Sequence, residues 1–159
     1  MSDSAPTRSE VVVRPASEGD FDALTAVWRS AVEATHDFLS EADVDHYELR
    51  VRNEFLPAVD VHVAVDAQDR PLGFIGMAGH RVEMLFVDAS ARGRGVGSAL
   101  LFWAAARHTA LEVDVNEQNP QARGFYESQG FEAFDRSPLD ADGRPFPVIH
   151  MRRPAPHRP

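Results

Sequence analysis

Arg92-Gly93-Arg94-Gly95-Val96-Gly97 stands directly after the apolar run Met84-Leu85-Phe86-Val87 and leads into Ser98-Ala99-Leu100-Leu101-Phe102-Trp103-Ala104-Ala105-Ala106. That order reads as strand, glycine-rich turn, helix. Glycine backbones reach conformations that other residues avoid, so several N–H groups converge on one point. The helix behind them adds its own unpaired N–H groups and the positive end of its dipole. Together these make an anion site suited to a phosphate or pyrophosphate. Arg92 and Arg94 bring positive charge to the same place.

Two other readings of this turn compete. A dinucleotide-binding loop needs G-x-G-x-x-G, whereas the spacing here is G-x-G-x-G and falls on the fourth predicted strand. A tight solvent turn that binds nothing needs no ligand at all. A P-loop would need Gly-Lys-Ser/Thr, which the chain lacks.

Upstream, residues 10–15 hold three consecutive valines, a strand signal. Ser17 with Asp20 reads as a helix cap. The helix behind it carries Phe21, Leu24, Val27, Trp28, Ala31 and Val32 on one face. Ser40 to Asp43 reads as a second cap, before a helix carrying Val44, Tyr47, Val51 and Phe55 that Pro57 ends. Residues 61–65 and 72–78 read as a hairpin around turn chemistry at 66–71, with Gly73 and Gly76 as bulge points. Residues 82–88 form the strand before the glycine turn.

Downstream, the helix runs to about His108, and residues 111–116 alternate apolar and polar as a half-buried strand does. Asn119-Pro120 starts a helix that Gly130 stops. A last hairpin turns at 140–143. The expected fold is a mixed α/β domain of about seven strands and four helices over residues 10–152. Residues 1–9 read as a disordered leader and 153–159 as a proline-rich disordered tail.

The 159 residues are 43% apolar, enough for one core, and contain no cysteine, which excludes disulfides, thiolate metal sites and a cysteine nucleophile. No apolar run approaches the roughly 18 to 20 residues that span a membrane. The net charge of −9 disfavours nucleic acid and anionic lipid as partners. His62, His80 and His150 show no paired ligand spacing, so no metal site is expected.

A second segment stands with the glycine turn: Asn119-Pro120-Gln121-Ala122-Arg123-Gly124-Phe125-Tyr126-Glu127-Ser128-Gln129-Gly130-Phe131. The pair resembles the GNAT superfamily of acyl-CoA-dependent N-acetyltransferases, over roughly residues 11–152. Ala34-Thr35-His36-Asp37-Phe38-Leu39 and Val115-Asn116-Glu117-Gln118-Asn119 are further similar to the bacterial YjaB-type branch. The resemblance implies a single GNAT-like domain whose central sheet splays between its fourth and fifth strands. It implies acetyl-CoA as donor, no metal, and a primary amine as acceptor, on a small molecule or on a protein or peptide. A cytoplasmic monomer or homodimer is expected. The amides of Arg92, Gly93, Arg94, Gly95, Val96, Gly97 and Ser98 would cradle the CoA pyrophosphate. Leu85, Phe86 and Val87 would pair by backbone with the pantetheine arm, and Asn119 would bond its amide region. Tyr126 would protonate the leaving thiolate. Ala89 stands where family members often carry proline.

The chemistry asks for the same parts. An amine of pKa near 10 is only about 0.1% neutral at pH 7, so a base helps, directly or through water. A backbone N–H near Val87 is placed to polarise the thioester carbonyl. Glu83 is the first base to test, because two-residue alternation puts it on the face of Leu85 and Val87. A paired structural carboxylate is the other reading of Glu83. Asn116 ends the strand beside the splay and would bond substrate or a water. Trp28, His36 and Phe38 are candidates for the acceptor pocket, with core packing as the alternative for Trp28. A non-catalytic acyl-CoA sensor would share the loop but would need neither Tyr126 nor a polar acceptor pocket.

Overall fold

The computed structural model describes residues 11–35 and 38–155. Seven strands are β1 Val12–Pro15, β2 Asp60–Val65, β3 Pro71–Ala78, β4 Arg81–Val87, β5 Leu111–Asn116, β6 Glu132–Ser137 and β7 Val148–Arg153. The helices are α1 Phe21–Thr35, α2 Glu41–Arg50, α3 Leu56–Ala58, α4 Val96–Ala105 and α5 Pro120–Ser128. The four expected helices are α1, α2, α4 and α5. The short α3 continues α2 through a wider turn, Val51–Phe55, and carries Pro57 in its first turn, where a missing N–H costs nothing. Both caps form. The Asp20 carboxylate accepts from the Ser17 N–H at 2.8 Å, and the Ser40 and Asp43 side chains each accept the other's N–H.

The strands form one sheet in the order β1-β2-β3-β4-β5-β7-β6. Every pair is antiparallel except β4 and β5. That parallel pair holds only at Arg81 with Glu112 and Val82 with Val113, after which the two strands splay apart. β7 reaches Arg153, which pairs with Leu111, so the first residue of the expected tail belongs to the sheet.

Two cores flank the sheet. Leu24, Val27, Trp28, Val32, Val61, Val63, Phe74 and Met84 pack together beneath α1. Leu100, Leu101, Ala104, Val113, Val115, Tyr126 and Phe131 pack on the opposite face beneath α4 and α5. β3 is buried from Leu72 through Met77, because helices cover both of its faces. Gly73 is required there: a Cβ would lie 2.8 Å from the Phe86 carbonyl oxygen.

The β3–β4 register shifts between Gly76 and Met77, from Met84 to Val82, so Glu83 is the extra residue of a bulge. Val82 consequently packs in the α4-side core and Met84 in the α1-side core, although they are two residues apart. Simple alternation therefore does not carry from Val82 across the bulge to Met84, while Glu83 lines the cleft together with Leu85 and Val87.

Candidate active site

The splay opens a cleft of about 530 Å³ between β4 and β5, floored by α5 and closed at one end by the glycine turn. Its walls include residues from Glu83 to Val87 on one side and from Val113 to Asn116 on the other. Beyond Val82, β4 keeps its ladder to β3 but, among the described residues, no strand pairs its cleft edge. Leu85, Phe86 and Val87 thus present an unpaired backbone edge, which an extended amide-bearing chain can join as a strand would.

At the closed end, Asp88 holds the turn. Its carboxylate accepts from the Ser90 N–H at 3.0 Å and its carbonyl accepts from the Ala91 N–H. Ala89, the departure from proline, uses the N–H that proline lacks to donate to Ser30 Oγ on α1 at 3.0 Å. Gly93 and Gly95 both adopt left-handed backbone, at φ +77° and +78°. Gly95 caps α4, and the Ala99 N–H to Gly95 carbonyl bond opens its ladder. The N–H groups of Val96, Gly97 and Ser98 therefore precede the helical ladder at the positive end of the dipole, an arrangement suited to an anion. Gly97 also lets α4 meet α5, since a Cβ there would lie 3.1 Å from the Phe125 ring. Arg92, Gly93, Gly95, Val96, Gly97 and Ser98 all line the cleft, and Arg94 is exposed beside it. Ser98 Oγ accepts from Gln129 Nε2 at 3.2 Å.

Along the floor, Asn119 is buried and its Oδ1 accepts from the Ala122 N–H at 3.1 Å, capping α5. Tyr126 also lines the cleft and is only 7% exposed. Burial pushes its phenol pKa well above the ordinary value, so it stands protonated at neutral pH. Among the described residues none hydrogen-bonds its hydroxyl; its ring packs edge-on against Phe125 and Phe131.

At the open end, Glu83 and Asn116 both line the cleft. The Glu83 carboxylate accepts from Arg81 Nε at 3.0 Å, and Asn116 Oδ1 accepts from the Gln118 N–H at 3.0 Å. Arg81 also reaches Asp114 at 2.8 Å and Glu112 at 3.4 Å. Burial opposes the Arg81 charge, but its hydrogen bond to Glu83 and the charge of Asp114 outweigh burial and raise its pKa.

The sequence-based acceptor residues fare differently. Trp28 is buried behind the cleft wall, its ring edge-on to Phe86 at 6.5 Å, and does not line the cleft. Phe38 also lies off the cleft, packed against Phe146 at 5.9 Å. His36 lies outside the described residues. Ala31 and Thr35 from α1, Gln121 from α5 and Asp114 from β5, not singled out as site residues from the sequence, also line the cleft. Asp114 carried a signal, since it shares the polar face of β5 with Asn116 at two-residue spacing. Among the described residues no group of acidic, histidine or cysteine side chains is arranged to hold a metal ion. Among them, too, no helix is long and apolar enough to cross a membrane.

A family model described as the acetyltransferase (GNAT) domain matches residues 30–153. The chain is 40% identical over 142 residues to the peptidyl-lysine N-acetyltransferase YjaB of Salmonella typhimurium, covering 89% of this chain and 97% of that protein. Against YjaB of Escherichia coli the identity is 39% over 141 residues, covering 89% and 95%. The solution structure of apo-form YjaB from Escherichia coli matches with a TM-score of 0.86 at 37% identity, covering 92% of this chain and 99% of that one.

Proposed function

We propose, because the chain belongs to the GNAT acetyltransferase family, that it moves an acetyl group from acetyl-CoA to the side-chain amine of a peptidyl lysine. The chain is an acyl-CoA-dependent N-acetyltransferase; the acceptor and the part each residue plays are the proposal. The lysine acceptor is supported by the two YjaB relatives and by a cleft mouth that carries Glu83 and Asp114 on a chain of net charge −9. The absence of cysteine supports a cytoplasmic location.

The observation that carries the reading is one cleft with an anion cradle at one end, an unpaired strand edge along its side and a buried phenol on its floor. The N–H groups around residues 93–98 hold the pyrophosphate. The open edge of Leu85, Phe86 and Val87 positions the pantetheine arm. Amine attack on the thioester carbonyl then needs no covalent enzyme intermediate. A β4 backbone N–H near Val87 stabilises the developing oxyanion. Tyr126, kept protonated by burial, donates its proton as the carbon–sulfur bond breaks. Glu83, or a water held by Glu83 and Asn116, takes the amine proton, and the ion pair with Arg81 fixes the carboxylate's direction.

Calorimetric titration with acetyl-CoA, CoA and NAD tests the donor site, repeated on Gly95→Glu. The expected result is saturable binding of both CoA species, none of NAD, and loss of CoA binding in the variant, which still melts cooperatively but at a lower temperature because glutamate strains the left-handed backbone at position 95. A lysine-peptide panel then reads turnover. Binding of NAD alone would overturn the donor assignment, and turnover restricted to small amines would overturn the acceptor.

A further inference from the structure

Asp114, at the rim of the cleft, also belongs to a second polar group that extends away from it across the outer sheet. Asp114 on β5 and His150 on β7 are direct cross-strand partners, and His150 is in turn the partner of Asp135 on β6. Ser137 lies two residues along β6, on the same face as His150, where diagonal neighbours meet. His150 Nδ1 is 2.6 Å from Asp114 Oδ1, and His150 Nε2 is 2.7 Å from Ser137 Oγ. Arg81 holds the other Asp114 oxygen at 2.8 Å. Three strands thus set a serine, a histidine and a clamped aspartate in one line.

The hydrogen-bond inventory fixes the polarity of that line. A carboxylate only accepts, so Nδ1 carries the proton and Nε2 turns its lone pair to the serine hydroxyl. In that arrangement the imidazole can take the hydroxyl proton while the aspartate steadies the resulting charge. The surroundings suit an acyl group as well. Ser137 and His150 are half-buried. Phe134 lies 6.3 Å from the His150 ring and is 45% exposed, giving an apolar surface beside the nucleophile. β6 is the edge of the sheet, so it presents backbone N–H groups that no strand pairs.

We propose that Ser137, His150 and Asp114 form a second acyl-accepting site, at which Ser137 is O-acylated by small activated esters or thioesters. The Ser137 oxygen adds to the acyl carbonyl while its proton passes to His150 Nε2. The bond from the carbonyl to the leaving oxygen or sulfur then breaks, and the leaving group departs with its electron pair, taking the proton back from His150 where it is basic enough. The products are an acyl ester on Ser137 and the free alcohol or thiol.

The test uses 4-nitrophenyl acetate on the full chain, which bypasses the CoA cradle and so reads this site independently of the proposed transferase chemistry. Release of nitrophenolate is followed together with peptide mass mapping. One acetyl group on Ser137 is expected, absent in Ser137→Ala and formed about a hundredfold more slowly in His150→Gln. Ser137→Ala should keep its acetyl-CoA affinity, which shows the variant folded. Acetylation confined to lysines, or an equal rate at Ser137 in His150→Gln, would overturn the proposal.

Discussion

The two halves of the sheet are built on different terms. β2, β3 and β4 lie between α1 on one face and α4 on the other, and β3 is buried at six successive positions. β5 and β7 bury only the face toward α5, and β6 buries neither. Val113, Val115, Ile149 and Met151 go inward there, while Asp114, Asn116, His150 and Arg152 stay on the opposite side. The first half is therefore a covered platform that holds the β4 edge lining the cleft. The second is a polar surface whose side chains are available for chemistry. The cleft runs along the seam between them, and its proposed donor end is made of backbone whereas its proposed acceptor end is made of side chains.

The largest effect should come from the covered half. Phe74 is fully buried against Phe86, whose neighbour residues form the cleft edge. Phe74→Ala should cost about 3–5 kcal/mol in urea unfolding, the usual range for an emptied aromatic core site. Tyr126 sits at the seam, and replacing it by Phe removes one oxygen without emptying the core. The turnover number should fall about a hundredfold while acetyl-CoA affinity stays within about twofold, measured by steady-state kinetics and calorimetry. Equal turnover would remove the phenol from the proton path.

A smaller and pH-dependent effect belongs to the edge of the covered half. Hydrogen bonds from the Arg14 guanidinium and then the Ser17 amide lower the Asp20 carboxyl from 3.8 to about 2. The unfolded chain binds this proton more readily, so the stabilisation is present above the unfolded value and fades as pH falls toward 2. Melting temperatures of the native chain should drop more steeply between pH 5 and pH 2 than those of Asp20→Asn. The smallest effect belongs to the open half. Arg136 and Glu117 make a two-point ion pair in which both side chains are well exposed. Arg136→Ala should cost less than about 1 kcal/mol. A cost there matching that of Phe74→Ala would erase the contrast between the halves.

Much of the glycine-turn end was legible in residue order. Glycines at 93 and 95 announced a turn with left-handed backbone, and both adopt it. Ser40 with Asp43 announced a cap, and Asn119-Pro120 a helix start. The acceptor end was less legible. The bulge at Glu83 depends on how β3 aligns with β4, and one extra residue reverses the faces that alternation assigns. Trp28 has a helix position that suits either a pocket wall or a core, and Phe86, distant in sequence, decides for the core.

The sequence by itself determined the identity and order of the elements, the glycine turn, and the pairing of that turn with the Asn119 to Phe131 segment. These follow from backbone sterics, capping and periodicity, which act within a few residues. The splay between the fourth and fifth strands followed from the family resemblance, but only the tertiary structure decided that they part after Val82 and Val113, that α5 floors the gap, and that β7 enters between β5 and β6. That last insertion brings Asp114, His150 and Ser137 together from three strands. Cross-strand neighbours are set by register and strand order, and both depend on which faces the helices bury, so no local run of residues encodes them.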